Sequence, residues 1–328
     1  MIQFNPARLT KWLTWLAIST ALSACTLKNP ANLRVDDLHA DDLHADDLHT
    51  DDLRLYVLDC GYMDMQGFAQ FEELYGVPET AVAIPGQANP CFLITNNGQS
   101  LLWEAGLPDA TPREPTPSAL GVKFEMPNKL KAQMEALSFS PADLDYFAIS
   151  HLHFDHIGNG AYFKHVKTLL QRAEWTAANR PGEKSIGYDD NATNEFKEYE
   201  KLILLDGDHD LFGDGLVMLI STPGHTEGDQ ILVIKLREYG PVILSGHAIH
   251  FAEELEHHIF PAFNGSAEQS EAMVKTLLEL ETALGGQPPN LPFRQAAVPG
   301  SARPSGNKSK KSVSCRSACI NVTRKSSF

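Results

Sequence analysis

The sequence predicts an α/β fold, on three observations. Short runs rich in Val, Ile, Leu, Tyr and Phe alternate with polar turn segments. Two segments carry apolar residues at helical spacing. Between those two lies a run of three imidazoles and one carboxylate, His151-Leu152-His153-Phe154-Asp155-His156, at the end of a strand-like stretch. The 328 residues suffice for one large domain with its own core.

The elements follow in order. Leu55-Tyr56-Val57-Leu58 opens the domain as a strand, and Cys91-Phe92-Leu93-Ile94 reads as another. Asn96-Asn97-Gly98 signals a hairpin into Leu101-Leu102-Trp103. Leu130, Met134 and Leu137 fall at i, i+4 and i+7, which marks an amphipathic helix, and Ser138 to Pro141 ends it. Tyr146 to Ser150 reads as a short buried strand and Ile157-Gly158-Asn159-Gly160 as a loop. Residues 176–201 are polar and read as loop plus helix. Leu216 to Ile220, Gln230 to Ile234 and Pro241 to Leu244 are strands. Met273, Thr276, Leu277, Leu280 and Leu284 return to helical spacing, with Glu271 near the helix start.

Both ends of the chain differ from this domain. Arg8 and Lys11 precede an apolar stretch, Trp12 to Ala24, too short to span a membrane as a mature helix. Leu22-Ser23-Ala24-Cys25 resembles a bacterial lipobox, so residues 1–25 are expected to be a lipoprotein-type signal peptide. The expected membrane partner is lipid carried on Cys25. Thr26 at the following position points to the periplasmic side of the outer membrane. An ordinary secretory signal cut near Ala24, or an uncleaved anchor, are the alternatives. Residues 26–53 contain the repeat DDLHA, DDLHA, DDLHT, DDLR. Leu38, Leu43, Leu48 and Leu53 recur every five residues, a spacing that gathers them on one face of neither a helix nor a strand. An acidic, extended spacer is expected. The folded domain is placed at 54–286. Residues 287–328 hold eight Lys or Arg and no Asp or Glu, and no His follows His258. That abrupt change fits a shifted reading frame near Gln287, or else a natural basic, low-complexity tail.

The formal net charge of -15 argues against a nucleic-acid partner, since phosphate binding needs clustered Lys and Arg. Among the cysteines, Cys60 and Cys91 lie in strand-like runs. They can pair in an oxidising compartment or serve as small core hydrophobes, and the second is the expectation. No CxxC pattern supports a cysteine zinc site.

The chemistry concentrates in the His-rich run. Imidazole and carboxylate hold zinc and similar metals at about 2.0–2.2 Å. Alternate residues of an extended segment point the same way, so His151 and His153 can grip one metal. Asp155 and His156, one step further round a turn, reach a neighbouring one.

HLHFDH resembles the HxHxDH signature of the metallo-β-lactamase-fold hydrolases, and four further segments agree. Ser221-Thr222-Pro223-Gly224-His225-Thr226 is similar to the family's second metal loop. Leu244-Ser245-Gly246-His247-Ala248 stands where Ser/Thr-Gly-Asp is usual. Residues 55–61 and 101–109 resemble the N-acyl-homoserine lactonase branch, the latter normally with Asp where Glu104 stands. The resemblance covers roughly residues 54–286 and implies an αββα sandwich.

It also implies roles. His151, His153 and His225 would hold metal one, and Asp155 and His156 metal two. His247 stands at the position of the bridging carboxylate. A neutral imidazole has one lone pair and cannot bridge two metals. With the family's final His also missing, one tight zinc site and a second weak one are expected. Asp155 would orient water and carry its proton, and His250 stands where a Tyr supports the substrate carbonyl. The implied activity is metal-dependent opening of a small-molecule lactone, impaired by the damaged second site. A thioesterase like glyoxalase II, a phosphodiesterase of the same fold and an inactive metal-binding protein remain as alternatives.

Overall fold

The computed structural model describes residues 53–65, 71–76, 86–118, 121–182, 187–188, 190–237, 240–250, 252–284 and 321–322. The segment expected to be a signal peptide, the repeat before Leu53 and nearly all of the basic tail lie outside them.

Two sheets form the centre. In the first, β1 (Arg54–Asp64), β2 (Gly86–Asn96) and β3 (Gln99–Trp103) make an antiparallel meander. β4 (Thr116–Pro117) and β5 (Lys123–Glu125) extend it beyond β1. β6 (Tyr146–Ala148), β7 (Lys167–Gln171) and β8 (Leu202–Leu205) continue it in parallel beyond β3. The second sheet is antiparallel: β9 (His209–Asp210), β10 (Val217–Ser221), β11 (Gln230–Leu236), β12 (Gly240–Leu244) and the two-residue β13 (Asn321–Val322). Among the described residues the helices are α1 (Phe71–Tyr75), α2 (Leu130–Ala136), α3 (Phe154–Ile157), α4 (Arg172–Ala178), α5 (Asp190–Phe196), α6 (Ala252–His257) and α7 (Ala267–Ala283). None is long and apolar enough to cross a membrane.

Strand periodicity sets the layers. Side chains of a strand alternate between faces, so a strand apolar at every position must be covered on both. On β10, Val217 and Leu219 join the layer between the sheets, while Met218 and Ile220 face the α7 side. β11 does the same, with Leu232 and Ile234 inward and Ile231 and Val233 outward. From the other sheet, Phe92, Ile94, Leu101 and Trp103 fill the middle layer. Their alternates Cys91, Leu93 and Leu102 pack with Leu130 and Met134 of α2. Met273, Val274, Leu277 and Leu280 of α7 cover the second sheet. The result is the αββα sandwich that the resemblance implies. Leu53, the last leucine of the repeat, is buried with the middle layer.

Three features named in the sequence reading take a different form in the structure, and β7 and β8 are additional to it. α7 begins at Ala267, four residues before Glu271, because Ser266 caps it by accepting a hydrogen bond from the Gln269 N–H at 3.0 Å. The expected loop at 157–160 is partly helical: α3 runs through Ile157 and a 3₁₀ turn starts at Gly160. Cys60 and Cys91 are core residues, as expected, but they are joined in a disulfide between β1 and β2. The two strands are antiparallel neighbours; Cys91 pairs with Leu58, and Cys60 lies diagonally across from it, two residues along β1.

The disulfide lies beside a β-bulge in β1. There the Cys60 carbonyl accepts a hydrogen bond from the Leu107 N–H at 2.9 Å. Gly106, at φ +59°, packs so closely that a Cβ would meet the Cys60 Cβ at 2.2 Å. Leu107 and Gly106 belong to the loop that supports α3, so the bulge and disulfide stand directly behind the His-rich run. Closing a 31-residue separation removes loop entropy from the unfolded chain, worth about 3–4 kcal/mol. Urea melts with and without reductant should differ by about that amount. Identical melts, with both thiols open to alkylation in unreduced protein, would contradict the pairing.

Candidate metal centre

Three strand ends supply the site. β6 stops at Ala148, and the chain runs extended through His151 and His153 before turning into α3. His153 has φ −78° and ψ 154°, and the next residues are helical. That switch sends Asp155 and His156 to a position beside the two extended histidines. The loop between β10 and β11 contributes His225. The turn after β12 contributes His247 and His250.

The first group is His151, His153 and His225, whose candidate ligand atoms lie within 4.8 Å of one another. All three are buried. His225 Nε2 is 3.1 Å from His153 Nδ1. Nε2 of His151 and Nε2 of His153 are buried without a hydrogen-bond partner. Buried polar atoms normally have one, and a lone pair left in this way suits a metal ion. On His225 and His151 the other ring nitrogen is held. His225 Nδ1 donates to Asn264 Oδ1 at 3.1 Å, and Asn264 Nδ2 in turn donates to Ser270 Oγ on α7. His151 Nδ1 lies 2.8 Å from Ser150 Oγ. Such partners fix the tautomer and aim the ring. The donor set fits a divalent metal.

The second group is Asp155, His156 and His247. His156 Nε2 is 3.2 Å from His247 Nδ1 and 3.4 Å from Asp155 Oδ2. His247 Nε2 is 3.5 Å from Asp155 Oδ2. Asn89 on β2 holds Asp155, its Nδ2 donating to Oδ2 at 3.0 Å. Glu104 holds His156, its Oε2 accepting from Nδ1 at 3.0 Å, while its Oε1 accepts from the Ser150 N–H. Glu104 adopts φ +69°, a left-handed conformation costing a non-glycine residue roughly 1–2 kcal/mol. These two hydrogen bonds offset that cost.

Protonation favours ligation in the first group. Burial, then the neighbouring imidazoles, push His151 and His225 well below the usual histidine range. Burial likewise lowers His153 to about 3 and His247 well below normal. His156 is the exception. Burial alone would lower it, but Glu104 and Asp155 outweigh burial and hold it well above. Asp155 is held below the usual carboxylate range, burial being outweighed by His156 and His247.

The structure therefore brings together all six residues the sequence assigned to metal, with His250 4.8 Å from the His225 and His247 rings. Sequence reasoning missed the residues that orient them: Glu104, Asn264, Ser150, Asn89 and, for His250, Glu254. Glu104 carried a signal, since it stands in a resembling segment at a position usually Asp. Asn264 carried none.

Gln87, Asn89, Glu104, Asp155, His156, His247, Ile249 and His250 line an open cleft beside the centre.

Protons and metal compete for the lowered imidazoles. An unfolded histidine titrates near ~6.5. Below that pH the unfolded chain binds more protons than His151, His153, His225 and His247 do, so stability falls with pH. His156 acts oppositely: its contribution is full below ~6.5 and lost as pH rises through its raised value. Four against one, chelated protein should melt lower at about pH 5 than at about pH 7.5. Zinc at a thousand times its Kd should add about 4 kcal/mol at the higher pH and less at the lower. A melt that rises on acidification, or one that zinc leaves unmoved, would contradict the arrangement.

Comparison with known proteins agrees with this geometry. The sequence profile of the family described as "Metallo-beta-lactamase superfamily" matches residues 84–284. An N-acyl homoserine lactonase of Bacillus sp is 28% identical over 197 residues, spanning 58% of this chain and 75% of the relative. N-acyl homoserine lactonase AttM of Rhizobium radiobacter is 31% identical over 199 residues, spanning 57% and 75%. A solved N-acyl homoserine lactone hydrolase, with N-hexanoyl-L-homoserine bound at its catalytic metal center, superposes with a TM-score of 0.58. It is 22% identical, and the match covers 71% of this chain and 90% of that one. AidC, a dizinc quorum-quenching lactonase, superposes at 0.52 with 17% identity, over 69% of this chain and 83% of its own.

Proposed function

The chain belongs to the metallo-β-lactamase superfamily, and from that premise we propose that it is a metal-dependent hydrolase that opens the ring of N-acyl homoserine lactones. The observation that carries the reading is the buried His151-His153-His225 cluster beside Asp155 and His156, in a chain whose relatives act on those lactones. His151, His153 and His225 would hold the first metal, with zinc the proposed ion. Asp155, His156 and His247 would hold the second, more weakly, because an imidazole at 247 cannot bridge as a carboxylate does.

Bound metal supplies Lewis acidity, which makes water a nucleophile near neutral pH. The protein's own part is orientation and proton handling. Asp155 stays ionised and is held from behind by Asn89, so it can accept the proton of the attacking water. Burial of the cluster excludes bulk water from the donors and strengthens their fields. The ring would enter the cleft that His247 and Ile249 line. His247 favours a weak second site, and hence slow turnover.

Product analysis on a lactone panel, run beside a thioester and a phosphodiester, tests the reading. Lactone opening should be abolished by chelation and by His151→Ala. It should fall about 10²–10³-fold in Asp155→Asn. His247→Asp should raise both second-metal occupancy and rate. Turnover of the thioester or phosphodiester alone would overturn the lactonase reading.

We further propose that the enzyme is anchored through lipid on Cys25, on the periplasmic side of the outer membrane, with residues 26–53 as its spacer. The Leu22-Ser23-Ala24-Cys25 run supports this. The protein should sediment with membranes and carry added mass on Cys25. Equal membrane binding and processing of Cys25→Ser would count against it.

A further inference from the structure

His250 stands where the resemblance implies a group that donates to the substrate carbonyl, yet its surroundings are those of a ligand. It is 4% exposed, and its partner Glu254 is 1% exposed. Glu254 grips it twice. Oε2 accepts from the His250 backbone N–H at 2.6 Å, and Oε1 from ring Nδ1 at 2.9 Å. A neutral imidazole whose Nδ1 carries the proton has only a lone pair at Nε2. In that tautomer Nε2 accepts or ligates; it does not donate to a carbonyl. A carboxylate behind the far nitrogen is what orients and strengthens metal-binding histidines.

Its neighbours point the same way. The candidate ligand atoms of His225, His247 and His250 lie within 4.8 Å of one another. The His247 and His250 rings are 4.8 Å apart with planes at 32°. Nitrogens bound tetrahedrally at 2.0–2.1 Å sit about 3.3 Å apart, so a small closure completes coordination. Each ring serves one ion. When His225 joins His151 and His153, His247 and His250 remain as a pair, with Asp155 Oδ2 3.5 Å from His247 Nε2.

We infer that His250 is a ligand of the second metal position, forming with His247 a two-imidazole arm in place of the bridging carboxylate. The inference rests on the metal-centre reading above but needs no lactone. An imidazole-rich position of this kind takes nitrogen-preferring divalent ions such as zinc, nickel or copper. Glu254 is then a positioning residue for His250.

The test is a cobalt(II) titration of the chelated full-length protein, following visible d–d absorption and bound cobalt per chain. The unaltered protein should fill in two phases, tight then weaker. His250→Ala should abolish the second phase and its absorption, leaving the first. Glu254→Gln should weaken the second phase about 10–100-fold, and it decides the matter if His250→Ala does not fold. Circular dichroism of each chelated variant checks folding. Folded variants that titrate as the unaltered protein does, with the same spectrum, would overturn the inference, as would a single phase insensitive to both changes. Loss of the second phase in a protein that opens no lactone would sink the substrate reading and leave this assignment standing.

Discussion

A neutral imidazole has one lone pair and one N–H, and the centre is organised around that restriction. Each ring can serve one ion with one nitrogen, so the other must be held by something else. The partners differ: Asn264 for His225, Glu104 for His156, Glu254 for His250, and Ser150 for His151. Remove the clamps and the rings would be free to turn their N–H groups inward, where a metal finds nothing to bind. Burial adds the second condition. It keeps His151, His153, His225 and His247 uncharged, which packs them together without mutual repulsion and preserves their lone pairs.

The fold meets both conditions with ordinary means. Strands apolar on both faces require helices outside and a second sheet inside, so their ends converge at one rim. Asn89 comes from β2, Glu104 from the end of β3, the His-rich run from the end of β6, His225 from the β10–β11 loop and His247 from beyond β12. The Cys60–Cys91 disulfide and the close fit of Gly106 to Cys60 fix the loop from which Glu104 reaches His156. Packing behind the ligands thus sets ligand orientation.

Much of this was legible in the sequence. Continuous apolar runs at 55–58, 91–94 and 231–234 announce strands because a short apolar run between turn segments is a local signal. The six residues assigned to metal lie in three short segments with ligand-type spacing. The clamps were not legible. Glu104 and His156 are 52 positions apart, and Asn264 and His225 are 39 apart, with no periodic pattern joining either pair. β7 and β8 were missed because they are short and flanked by polar segments. The disulfide escaped because Cys60 and Cys91 also satisfy every requirement of small core residues. What a side chain does to its own chain neighbours can be read directly; what it does to a partner across the sheet waits for the register.

X-ray absorption at the zinc edge of the metal-loaded protein tests the central claim most directly. Imidazole rings give outer-shell scattering that carboxylates and water do not. Nitrogen or oxygen ligands at about 2.0–2.1 Å, no sulfur, and the scattering of about three imidazoles on the tightly held ion are the predicted result. One imidazole or none, or a sulfur shell near about 2.3 Å, would contradict the account.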